Sequence, residues 1–109
     1  MGLLVEGTGY EITGVQRGDV FNEIVIKTID TVDTGDTIVV DMTKYGINAT
    51  GLMGVMGYVQ ATANSVVVQT DPTTTVASGS ITLTLGTATN DQTYILVKGF
   101  AVPNPSDEI

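Results

Sequence analysis

Carboxylates are the side chains in this sequence best placed to organise chemistry, and they are densest in Asp30-Thr31-Val32-Asp33-Thr34-Gly35-Asp36, with Asp41 shortly after. Calcium takes about six to eight oxygens, and an EF-hand loop supplies them with the spacing D-x-D-x-D-G and a distal Glu. The spacing here is D-x-x-D-x-G-D without a matching Glu. Asp at such positions also accepts hydrogen bonds from nearby backbone N–H groups, so turn chemistry is the expected role and a loose surface calcium site is the alternative. Glycoside hydrolysis needs two carboxyl groups held about 5–9.5 Å apart. The 12 acids give many pairs on paper, but most fall in predicted turns or at strand ends, and only four Tyr and two Phe are available to stack a sugar. Gly7-Thr8-Gly9 and the Gly54/Gly57 pair lack the spacing of a phosphate-binding loop and lead into no helix.

The chain has no His and no Cys. Imidazole general bases, thiolate nucleophiles, His/Cys zinc sites and disulfides are therefore excluded. The expectation is a non-enzymatic protein with no catalytic, metal or cofactor site. The 12 acids face only 4 bases, Arg17, Lys27, Lys44 and Lys98, for a net charge of -8. Phosphate polyanions and anionic membranes draw their affinity from Lys and Arg, so neither nucleic acid nor a membrane is an expected partner. Charged residues are only 15% of the 109-residue chain and hydrophobic ones 42%, where an ordinary soluble domain carries about 25% charge. A surface so poor in charge is easier to keep in solution when part of it is covered, which points to a homo-oligomer or a subunit lying on a larger assembly. The segment Met1–Glu6 has no basic region before its short apolar run and does not read as a secretory peptide.

The elements that must position these residues are strands. Thr is roughly one residue in six and Val roughly one in seven, a β-branched bias that suits pleated surfaces. No window sustains helical spacing of apolar residues. Strands are predicted over 10–16, 23–29, 37–42, 52–60, 65–70, 81–85 and 93–102, and 23–29 with 37–42 reads as a hairpin. Ile24, Ile26 and Thr28 share one face, as do Ile38, Val40 and Met42, and Ile81, Leu83 and Leu85; these are the candidate core. The Val66-Val67-Val68 run reads as a strand from inside a sandwich. Segments 43–51 and 73–80 read as loops. Gly54 and Gly57 predict a bend, a bulge or a close backbone approach. Met53 and Met56 read as core filling. Val66–Val68 and Tyr94–Val97 are uncharged and strongly β-prone, so each is either covered within the fold or a subunit junction, with Lys98 as a charge guarding the second. Strands joined by Asp/Asn/Gly turns, about seven to eight and short, predict an all-β, single-domain antiparallel β-sandwich or small barrel. Residues 1–109 form that one domain, with an extended arm at 1–9 and a C-terminal tail at 103–109.

The stretch Ile26–Asp41, then Ser65-Val66-Val67-Val68, Asp71-Pro72-Thr73-Thr74 and Ser78–Leu85, resembles small Thr- and Val-rich β proteins of tailed bacteriophage virions, and among them capsid decoration, or cement, proteins. The resemblance lies in strand-turn rhythm over about residues 23–102 and carries no catalytic or ligand motif. It implies a virion structural protein bound as a trimer or dimer to the outer surface of the major capsid protein shell. An acidic chain suits that outer face, since packaged DNA repels it. The alternative is a glycan- or host-receptor-binding β module of a fibre or adhesin, using the 43–51 and 71–80 segments. The residues expected at an interface are Leu3, Leu4 and Val5 of the arm, Tyr45, Phe100, and Pro103 and Pro105 of the tail.

Overall fold

A computed structural model describes residues 2–62, 65–86 and 91–101. Two antiparallel sheets face each other as a β-sandwich. Its strands are β1 (Tyr10–Gln16), β2 (Phe21–Thr28), β3 (Thr37–Asp41), β4 (Ile47–Thr62), β5 (Val66–Gln69), β6 (Thr73–Ala77), β7 (Ser80–Thr84) and β8 (Thr93–Ala101). One sheet has the order β1-β2-β8-β4-β5 and the other β3-β7-β6. A 3-10 turn, Thr43–Tyr45, precedes β4.

The alternation that defined the strands also builds the core. Ile24 and Ile26 of β2 and Ile95 and Val97 of β8 face Ile38 and Val40 of β3 and Ile81 and Leu83 of β7, with Val32, Met42, Ile47 and Leu85 closing the ends. Removing such side chains from water is the main stabilising term of the fold. Across the core, the Tyr10 hydroxyl donates to the Val39 carbonyl at 3.3 Å and ties β1 to the facing sheet.

Four segments depart from their expected places in the fold. Segments 23–29 and 37–42 do not pair as a hairpin: β2 pairs with β1 and β8, and β3 with β7. Residues 29–36 instead carry the chain from one sheet to the other, so the two apolar faces meet across the core. Residues 47–51 belong to β4, recruited where Ile47 pairs with Ala101 at the end of β8. Residues 73–77 are the edge strand β6, exposed along its whole length, so burial imposed no alternation on its Thr-rich sequence. The Val66–Val68 run lies on the outer edge strand β5, not inside the sandwich, with all three side chains exposed.

The glycines of β4 divide the roles expected of them. Gly54 sits at a register shift against β8 in open space, the bulge. Gly57 is the close approach: a Cβ there would collide with the Thr70 carbonyl oxygen. Thr70 N donates to the Gly57 carbonyl at 2.9 Å and Gly57 N to Asp71 Oδ1 at 3.0 Å, pinning the corner where β5 leaves for β6. Met53 and Met56 are exposed rather than core-filling, because β4 presents both outside the apolar layer.

Candidate interaction surface

The acidic segment resolves into turn chemistry. Asp36 is buried, and its carboxylate accepts from Gly2 N through Oδ1 and from Asp33 N through Oδ2, both at 2.9 Å. One side chain thus closes the turn and fastens the N-terminal segment. That segment runs beside β3: Leu4 N donates to the Thr37 carbonyl, Thr37 N donates to the Gly2 carbonyl, and Leu3 bridges Thr37 in parallel. Residues 2–6 are therefore seated on the domain rather than reaching away from it. Leu4 packs against the core, whereas Leu3 and Val5 point to solvent. At Asp41, Oδ1 accepts from Thr43 Oγ1 at 2.7 Å, from Thr43 N at 3.1 Å and from Lys44 N at 3.4 Å, holding the start of the 3-10 turn. The Thr43 hydroxyl is the main reason the Asp41 carboxyl titrates below its ordinary range. Among the described residues no group of three or more acids is arranged to hold a metal ion.

The strand register sorts the charges by end. Glu6, Glu11, Asp30, Asp33, Asp36 and Asp91 gather where β1 begins and β2 ends, with Lys27 as the basic residue there. Three of them, Glu11, Asp30 and Asp91, line a shallow depression of 630 Å³ together with Tyr10 and Lys27. At the opposite end lie Arg17, Lys44 and Lys98, three of the four bases, beside Asp19, Glu23 and Asp41. That end is formally neutral, while the first carries the excess of negative charge.

The neutral end is also where aromatic side chains reach solvent. Phe21 and Phe100 are register partners on β2 and β8, and both stay well exposed, at 42% and 49%. Val20 beside them is 61% exposed. Lys98 Nζ stands 4.1 Å from the centre of the Phe21 ring, so a cation covers one aromatic face. A cleft of 140 Å³ between Arg17, Phe21, Glu23 and Lys98 opens next to the pair. Asn22, buried under this end, accepts from Gly18 N and donates to the Gly46 carbonyl at 3.0 Å, which locks the turn before β2 to the turn before β4. Gly46 has φ 82°, a conformation that favours glycine, and its open α-carbon leaves room for Arg17 and Asn22.

Of the residues expected at an interface, Phe100 is on this surface. Tyr45 belongs to the same end, with its ring partly packed against the core and Lys44 Nζ 5.6 Å from the ring centre. Leu3 and Val5 are exposed elsewhere, along the β3 edge and toward the acidic end. Pro103 and Pro105 lie outside the described residues. Lys98 guards no edge, since β8 is flanked by β2 and β4. Val20, Phe21 and Arg17 are not among the residues expected at an interface. Parity would have found Phe21, which falls on the same side of β2 as Glu23, Val25 and Lys27 and so away from Ile24 and Ile26. No family model, curated protein or solved structure matches the chain.

Proposed function

We propose that this chain is a non-enzymatic virion structural protein, a capsid decoration subunit of a tailed bacteriophage that binds the outer surface of the major capsid protein shell as a homo-oligomer and stabilises it. The observation that carries the reading is the polarity of the sandwich: an exposed Phe21/Phe100 pair flanked by Arg17 and Lys98 at one end, and six of the twelve acids at the other. Exposed aromatics beside a cation are the residue types that anchor protein interfaces. The acidic end, turned outward, keeps decorated particles apart by charge. Such a subunit acts by adhesion and requires no cofactor, in keeping with a chain without His or Cys.

The test is co-sedimentation of the purified protein with capsids that lack it. Binding is expected, with a large loss for Phe21→Ser/Phe100→Ser and a smaller one for Lys98→Glu. Failure of the unmodified protein to sediment with shells, joined with hits on a glycan array, would move the assignment to a receptor-binding module.

A further inference from the structure

The four sheet edges are not equally protected. β1 carries Glu11 and a register shift between Ile12 and Gly14, and β3 is started by the Leu3 bridge and ends at Asp41. Bulges, charges and a covering segment are the usual devices that stop a strand from pairing with a stranger. β5 itself has no charge and, among the described residues, no covering segment, and the register shift in its pairing, between Gln60 and Thr62, lies on β4. Its Val66, Val67 and Val68 are 48%, 56% and 47% exposed, it pairs with β4 alone among the described residues, and it carries no charge. Val59, the register partner of Val68, is buried, so Val68 and Val66 stand on the inner side of the sheet and Val67 on the outer. The strand is therefore apolar on both faces, and among the described residues nothing pairs with its outer row of backbone N–H and C=O groups. β6, the remaining edge, presents Thr-Thr-Thr and has less apolar surface to cover.

We propose that β5 is a self-pairing edge, by which two copies of this chain join antiparallel about a two-fold axis and fuse their five-stranded sheets into one. Symmetry and charge select a second copy of the chain as the occupant. Antiparallel pairing centred on Val67 sets Val67 against Val67 of the second copy on the outer face, and Val66 against Val68 on the inner one, so the sequence complements itself. A chain with net charge -8 must approach its copy where its acids are distant. From β5 to β8, ahead of which Asp91 lies, are two strand spacings, about 10 Å, and to β2, near whose end Asp30 lies, three, about 14 Å, both beyond a Debye length of about 8 Å at physiological ionic strength. The nearer Asp71 is held by Gly57 N and Gln69 Nε2, with Oδ1 turned to those donors. The inference concerns the chain by itself and stands whether or not a capsid is its partner.

The experiment uses the full chain. Light scattering after size exclusion over a concentration series is expected to reveal twice the monomer mass, and hydrogen exchange is expected to show residues 66–69 gaining protection as the dimer forms. Val67→Lys, with its fold checked by circular dichroism, should give the monomer mass even though it lowers the net negative charge. Thr82→Lys, the same change on the central strand β7, should leave the dimer intact. A monomer at every concentration up to the millimolar range overturns the proposal. So does a dimer unchanged by Val67→Lys, protection of 66–69 that ignores concentration, or concentration-dependent protection at 10–16 or 73–77 instead. Capsid sedimentation is read separately, so loss of shell binding with an intact dimer counts against the function and not against this edge.

Discussion

Thr93 is buried at the start of β8, and its hydroxyl has no hydrogen-bond partner among the described residues, although its backbone N–H is satisfied by Thr28 Oγ1 at 2.8 Å. An unpaired buried hydroxyl is a standing cost, and valine has nearly the same shape with a stronger β preference. Thr93→Val should therefore stabilise the fold by about 1 kcal/mol, read as a melting temperature several degrees higher; a lower one would show that the hydroxyl is satisfied in solution. Asp41 yields a prediction about pH. Its folded-state pKa is depressed, chiefly by the Thr43 hydroxyl, so its contribution is present above the ordinary carboxylate range and is lost as the pH falls through the depressed value. An NMR titration should find Asp41 among the last carboxylates to protonate on acidification, and Thr43→Ala should move its midpoint back upward. A midpoint indifferent to that substitution would mean that the hydroxyl contact is not maintained in solution.

At the scale of elements, β4 offers a paired comparison. Gly57→Ala drives a methyl into the Thr70 carbonyl and crowds Pro72, and should cost about 1–3 kcal/mol as the β5–β6 corner shifts. Gly54→Ala, three residues earlier on the same strand but in open space, should stay within about 0.5 kcal/mol; equal melting temperatures for the two would refute the pinned corner. The same strand explains what the sequence could and could not disclose. Segments such as Ile81–Leu85 announce themselves because one face is buried, and burial imprints alternation. Thr73–Ala77 is exposed on both sides, so nothing distinguishes it locally from a polar loop. Val66–Val68 misleads in the opposite sense, since an apolar run looks alike whether it is buried or left on an edge. The pairing of β2 with β8 joins residues far apart in the chain and is decided by the packing of the whole. At the candidate surface, Phe100 was legible as an aromatic near the end of a strand. Its partner Phe21 needed the register that places the two side by side.

Across the whole molecule, the separation of charge predicts how stability responds to salt. Folding brings Glu11, Asp30 and Asp91 to the lining of one depression, with Lys27 as the register partner of Glu11, and the mutual repulsion of these acids is larger in the sandwich than in the extended chain. Raising ionic strength from about 0.01 M to about 0.15 M shortens the Debye length from about 30 Å to about 8 Å, enough to screen much of that repulsion across the end of the domain. Sodium chloride over this range should therefore raise the melting temperature. Asp30→Asn should raise it at low salt and lose most of that advantage at high salt, because Asp30 is exposed on the rim. Glu23→Gln at the neutral end, where Arg17 and Lys98 line the same cleft, should not reproduce the gain. A melting temperature that falls with salt, or equal gains from both substitutions, would mean that the charges are balanced locally and that the sandwich has no acidic end to turn toward solvent.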